Sequence, residues 1–158
     1  MTGVQTCALP ICDGALRQQL ESHAQIKAPN KVEFLGLVPH AETNKYYDSA
    51  DIFALPSIRE CGGAVVLEAM ARGLPVVATA WGGPMDYITA ESGFLVEPKS
   101  KEYMVAQFSA IIDQLAQAPE LRYRVGQAAI NRIKEHFLWD KKIQEVVDVY
   151  QRAILARV

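Results

Sequence analysis

Short apolar runs alternate with helical-period stretches up to about residue 100, and helical periodicity alone governs the rest. Residues 31–35, Lys31-Val32-Glu33-Phe34-Leu35, alternate polar and apolar as a strand does. Residues 52–55, 76–78 and 93–96 are continuous apolar runs bounded by glycine, proline or polar residues, which is how strands buried on both faces read. Residues 13–24 put Leu16, Leu20 and Ala24 on one helical face, with Asp13 as the cap. Residues 41–49 predict a short helix carrying Tyr46 and Tyr47, and residues 85–88 a single turn. Residues 64–72 predict a helix whose Val65, Leu67, Ala69 and Met70 should be well buried, stopped by Gly73 in a left-handed cap position.

From Lys101 onward, Tyr103, Phe108, Ile111, Ile112 and Leu115 predict a helix over 101–117. Pro119 opens a second, with Leu121, Val125, Ala128, Ala129 and Ile133 on one face as far as Phe137. Leu138-Trp139-Asp140 is a joint. Ile143, Val146, Val147, Val149 and Ile154 mark a last helix over 140–155. Strands separated by helices need crossover connections. The chain therefore predicts an α/β fold, a Rossmann-like parallel sheet with helices on both faces. Ligands of such sheets bind outside the strand carboxyl ends, and the loops after Leu35, Leu55 and Ala78 should converge there.

Composition narrows the classes. A chain of 158 residues, half apolar and 22% charged, is an ordinary globular length and mixture. The net charge of -2 with no basic stripe argues against nucleic acid as a partner. Cys7, Cys12 and Cys61 form neither a disulfide framework nor a zinc spacing, which points to a reducing, cytoplasmic compartment. No apolar run is long enough to span a membrane, and residues 1–12 lack the order of a secretory signal. Those twelve residues, MTGVQTCALPIC, differ in character from the rest of the chain. The run VQTCALPI resembles a translated sequencing-adaptor remnant, so residues 1–12 read as a foreign or disordered N-terminus and residues 13–158 as the domain proper.

The candidate chemistry lies in the loop after residues 52–55. Glu60 and Glu68 stand eight positions apart, with Gly62 and Gly63 between them at the start of a helix. Carboxylates accept hydrogen bonds, and two of them suit a ligand rich in hydroxyls. The helix start at Gly62, Gly63, Ala64 and Val65 offers unpaired amides and a positive dipole end, a seat for phosphate. Two glycines also let a ligand approach the backbone. A ligand with phosphates, a ribose and a sugar satisfies both features. Spacing alone leaves open that Glu60 is a solvated loop carboxylate and Glu68 a surface helix residue. Arg59 and His40 are weaker candidates for phosphate or base contact, and Trp81 for the wall of a sugar site. Tyr47 reads rather as core, and Cys61 as a small loop residue.

Several separated motifs then carry a resemblance. They are Val32-Glu33-Phe34-Leu35-Gly36, Asp51-Ile52-Phe53-Ala54-Leu55-Pro56-Ser57, Glu60-Cys61-Gly62-Gly63, Glu68-Ala69-Met70-Ala71-Arg72-Gly73, Pro75-Val76-Val77-Ala78 and Gly82-Gly83-Pro84. Phe137-Leu138-Trp139 and Val147-Asp148-Val149-Tyr150 come after them in order. Together they resemble the C-terminal, donor-binding domain of family 4 retaining glycosyltransferases of the GT-B fold, whose Glu, seven residues, Glu motif matches Glu60 to Glu68. The resemblance implies sugar transfer from a UDP-, GDP- or ADP-sugar with retention at the anomeric carbon, generally without a metal ion or other cofactor. It implies that Glu60 lies beside the donor sugar and supports its departure, and that Glu68 binds the ribose hydroxyls. The amides around Gly62, Gly63, Ala64 and Val65 would face the sugar and diphosphate, and Gly36, Leu37 and Val38 the base.

Two positions depart from the family. Gly62 stands where an aromatic residue is usual, and Asp86 near where a glutamate commonly comes after Gly-Gly-Pro. The family's Arg and Lys that grip the diphosphate, and its N-terminal acceptor domain, have no counterpart in this sequence. The chain is therefore expected to be inactive alone, and its last helix to expose an apolar face including Val146, Val147 and Ile154, free for a dimer. The full-length enzyme would be cytoplasmic, with peripheral membrane attachment as a variant. The competing reading is a non-catalytic nucleotide-binding or protein-interaction domain.

Overall fold

The computed structural model describes Ala8, Pro10, Ile11 and residues 13–156. Two compact units divide the chain, Met1–Tyr46 and Tyr47–Val158. In the first, α1 spans Arg17–Lys27 and starts four residues later than expected. Asp13 does not cap it. Its Oδ1 accepts from the Gly14 amide at 2.8 Å, and its Oδ2 pairs with the Arg17 guanidinium at 3.4 Å. The helix ends where Ala28 and the left-handed Asn30 turn the chain.

The strand expected over 31–35 is reduced to one parallel bridge, Ala8 to Val32. The Ala8 amide donates to Lys31 O at 2.8 Å, the Glu33 amide to Ala8 O at 2.9 Å and the Leu35 amide to Pro10 O at 3.1 Å. The rung between the last two would need a proton on the nitrogen of Pro10, which carries none, so the ladder is interrupted there. Most of the N-terminal segment read as foreign, Cys7 and Cys12 included, lies outside the described residues. Helix α2, His40–Ser49, runs across the division between the units.

The second unit holds the sheet. Among the described residues it has three strands, β1 (Phe53–Leu55), β2 (Val76–Thr79) and β3 (Gly93–Val96), all parallel in the order β1-β2-β3. Helix α3 (Ala64–Ala71) connects β1 to β2, and the short α4 (Pro84–Tyr87) lies between β2 and β3. Helices α5 (Lys101–Gln117), α6 (Pro119–His136) and α7 (Trp139–Leu155) complete the unit. All four residues of β2 are buried, as a central strand requires. Their side chains alternate between faces. Val76 and Ala78 join Val66, Ala69 and Met70 of α3 and Ala129 and Ile133 of α6 in one core cluster. Val77 joins Val96, Phe108 and Leu115 in the other. The sheet is thus covered on both faces, which is the expected α/β architecture.

Within α3 the buried side chains are Val66, Ala69 and Met70. Val65, expected to be buried, is 36% exposed; it lies in the first turn of α3, off the face that carries Val66, Ala69 and Met70. Gly73 takes the left-handed conformation predicted for it, at φ +75°. The Ser100 side chain caps α5 by accepting from the Tyr103 amide at 3.1 Å.

Candidate functional site

The loops that leave β1 and β2 emerge side by side, since these two strands pair in parallel register from Phe53 with Val76 to Leu55 with Ala78. Thr79 is buried, and its hydroxyl reaches back to Leu55 O at 3.5 Å, tying the strand ends together. The Ala80 amide donates to Val96 O at 2.8 Å, so the second loop is also fixed to β3.

The loops then pack backbone against backbone. A side-chain carbon on Gly82 would lie 2.1 Å from Glu60 O, and one on Gly83 would lie 2.0 Å from Gly62 O. Only glycine permits that approach. The Gly83 amide donates to Cys61 O at 3.1 Å and seals the contact. Gly63 takes φ +64°, and Pro84 Cδ would stand 3.1 Å from any carbon attached there. Consecutive glycines in two successive strand-to-helix loops were the sequence signal for this lock.

Glu60 is placed by that backbone. Its Oε1 accepts from the Gly63 amide at 2.8 Å, and the residue is half-buried. The Gly63 carbonyl accepts from the Val66 amide at 2.8 Å and starts α3. The amides of Ala64 and Val65, both exposed residues of the first turn, have no acceptor within the helix. A carboxylate and the positive end of a helix therefore share one loop.

Glu68 lies on the second turn of α3, half-buried. Its Oε2 accepts from the Tyr47 hydroxyl at 3.0 Å. Tyr47 is itself in the core, 7% exposed and tilted against Phe53 at 5.8 Å between ring centroids. Burial, and then the adjacent Glu68 carboxylate, push its phenol well above the ordinary tyrosine range. Tyr47 was expected in the core, but its bond to Glu68 was not read from the sequence, because the two residues are far apart in the chain and no motif links them.

The remaining candidates scatter. Gly36, Leu37 and Val38 belong to the first unit. There Gly36 takes φ +71°, with Arg17 Nη1 2.8 Å from where a side chain would start, and Leu37 is exposed. Trp81 is 50% exposed, with its amide donating to Thr79 O at 2.8 Å. Arg59 is exposed in the β1 loop, and Cys61 carries a free, exposed thiol. Asp86 is exposed on α4, its carbonyl accepting from Arg132 at 2.8 Å. A groove of about 560 Å³ lies away from both loops, lined by Phe94 of β3, Gln114 of α5 and Val125 of α6. Among the described residues no three His, Cys, Asp or Glu side chains gather as a metal site would need, and no helix is long and apolar enough to cross a membrane.

The chain is similar to known proteins in sequence and in fold. Residues 4–132 match the family of glycosyl transferases group 1. An uncharacterised glycosyltransferase of Methanocaldococcus jannaschii is 35% identical over 143 residues, covering 89% of this chain and 36% of that protein. The solved C-terminal domain of a glycosyl transferase group 1 family protein from Francisella tularensis superposes with a TM-score of 0.69 at 29% identity, covering 78% of this chain and 63% of that one. HepE of Anabaena, solved in complex with UDP-glucose, gives a TM-score of 0.72 at 25% identity, covering 92% of this chain and 41% of that one. The chain spans about a third or less of the length of the curated relatives it matches. The parallel sheet, the glycine-locked loops and these matches agree: the chain belongs to the glycosyl transferases group 1 family, whose solved members here have the GT-B fold.

Proposed function

We propose that this chain forms the donor-binding half of a retaining, family 4 glycosyltransferase, taking a nucleotide-sugar as its donor. The observation that carries the reading is the placement of Glu60 on the Gly63 amide, beside the first-turn amides of Ala64 and Val65, which have no acceptor within the helix. In this reading the first-turn amides take up charge as the diphosphate departs, worth far more in a site shielded from water than in solvent. The second oxygen of Glu60 faces the donor sugar, and Glu68, steadied by Tyr47, accepts from the ribose hydroxyls. No further cofactor is called for. The HepE complex with UDP-glucose supports the class of donor.

The relatives' greater length supports a second proposal, that the acceptor is held by polypeptide outside these residues and that the chain alone transfers no sugar. The free thiol of Cys61 suits a reducing, cytoplasmic setting. A protein-interaction role is favoured by one observation, the exposed apolar stripe of α7, and is compatible with donor binding.

Calorimetric titration with UDP-, GDP- and ADP-sugars tests the reading. One of them should bind, and Glu68→Ala should weaken it about ten- to a hundredfold, the worth of a hydrogen bond to a charged group. In an enzyme that joins this chain to an acceptor domain, Glu60→Ala should lower kcat with little change in donor affinity. Absence of binding by every nucleotide-sugar, or full transfer activity without Glu60, would sink the corresponding assignment.

A further inference from the structure

The two oxygens of Glu68 are not equivalent. Oε2 accepts from the Tyr47 hydroxyl at 3.0 Å. Tyr47 is a core residue packed against Phe53, so its hydroxyl is a fixed point. A glutamate on a helix surface ordinarily samples several rotamers, and a bond to a fixed donor removes that freedom. Glu68 stands four residues after Ala64 and three after Val65 in α3, so the three share one face. Ala64 and Val65 are exposed, whereas Val66, Ala69 and Met70 are buried. Helical side chains lean toward the helix N-terminus. Glu68 therefore leans over the turn whose amides have no acceptor within the helix, its α-carbon about 6 Å along the axis from that of Ala64.

We propose that Tyr47 is a positioning residue: by holding Oε2 it turns Oε1 to the ligand, and so sets how strongly the site prefers a ribose to its deoxy forms. One carboxylate oxygen carries two lone pairs and can accept from both hydroxyls of a vicinal diol. The bond to Tyr47 is made during folding, so the rotamer entropy of Glu68 is already lost when the ligand arrives. Without the tyrosine proton the carboxylate is free to turn, and the diol loses its fixed acceptor. The phosphates, seated on the first-turn amides, are unaffected. The proposal rests on the reading of Glu68 as the acceptor for the ribose hydroxyls.

Calorimetry on the whole chain tests it, comparing UDP, GDP and ADP with their dideoxyribose counterparts, which lack both hydroxyls. The wild type should bind one of the three ribonucleotides, about tenfold or more tightly than its dideoxy form. Tyr47→Phe keeps the ring in the core. It should bind the dideoxy form within about twofold of the wild type and prefer the ribonucleotide by about threefold or less. Ile133→Val trims the same core cluster and leaves the Tyr47 hydroxyl in place, so it should keep the wild-type preference. An undiminished preference in Tyr47→Phe overturns the role of Tyr47 and leaves the ribose reading standing. Equal losses for both forms, or the same fall in preference in Ile133→Val, also overturn it, since the tyrosine would then serve only the fold. A wild type that binds both forms equally overturns the assignment of Glu68 to the ribose, and the proposal with it. Failure of the wild type to bind any of the six ligands overturns the donor-binding reading as a whole.

Discussion

Glu68 is held by a tyrosine that comes 21 positions earlier in the chain, and the pair has a measurable signature. Tyr47 spends its hydroxyl proton on Glu68 Oε2 inside the core, so Tyr47→Phe removes a hydrogen bond to a charged acceptor. That should cost about 1–2 kcal/mol near neutral pH. The pH dependence has a definite sign. The folded phenol titrates above the ordinary value of 10.0, through burial first and the Glu68 carboxylate second. The unfolded chain therefore gives up this proton while the folded chain retains it. The contribution is fully present below pH 10.0 and is lost as pH rises beyond it. Urea midpoints for wild type and Tyr47→Phe should differ by a constant amount from neutral pH upward and converge in the alkaline limb. A gap that persists unchanged there would show that the phenol is not held protonated by the fold. At this scale the carboxylates were legible, since their spacing and flanking glycines are local. Tyr47 as their partner was not, because its bond depends on a tertiary contact between α2 and α3.

The helix α6 meets the end of α3 at one point of backbone contact. A side-chain carbon on Gly126 would lie 2.0 Å from the Gly73 carbonyl oxygen, and one on Gly73 would lie 2.9 Å from Ile130 Cδ1. In an isolated helix Gly→Ala is favourable by about 1 kcal/mol. Here the clash is with backbone, which no rotamer relieves, so α6 must shift off Ala69 and Met70. Gly126→Ala should therefore destabilise the protein, by about 1–3 kcal/mol for an overpacked core contact. Denaturant titration settles the sign, and a stabilised variant would contradict the close approach. Elements whose pattern is local and long were legible in advance: α5 runs over the expected residues and α6 to within one of them. The central strand was legible because four consecutive buried residues leave no polar position. The alternation of residues 31–35 misled, since a strand needs an unbroken ladder and Pro10 leaves one rung without a donor. The start of α1 was misplaced because Asp13 has two nearer claimants, the Gly14 amide and Arg17. The crossing of Gly126 on Gly73 lay beyond any local pattern, because it expresses contact between segments distant in sequence.

The last helix raises a question that belongs to the molecule as a whole. Trp139, Ile143, Val146, Val147, Tyr150 and Ile154 fall at helical spacing on one stripe of α7, and no residue of that helix is buried. Trp139 is 82% exposed and Ile154 66%. Charged residues hold the opposite side, among them Lys142 and Glu145 paired at 2.9 Å. A continuous apolar stripe on an otherwise polar helix is a surface on which a second apolar surface can pack. In a solution containing this chain alone, the available complement is the same stripe on a second copy, which a two-fold axis can bring face to face. The chain should therefore self-associate, with a fraction of dimer that rises with concentration in light scattering coupled to gel filtration. Ile143→Asp together with Tyr150→Asp should abolish the dimer. Because α7 contributes nothing buried, the variant should also keep the wild-type circular dichroism and nearly the wild-type melting temperature at low concentration. Two results would defeat the argument: a wild type that stays monomeric at the highest soluble concentration, or a doubly substituted chain that dimerises as before. A third, unfolding of the variant as a monomer, would show that the stripe serves the fold rather than a partner.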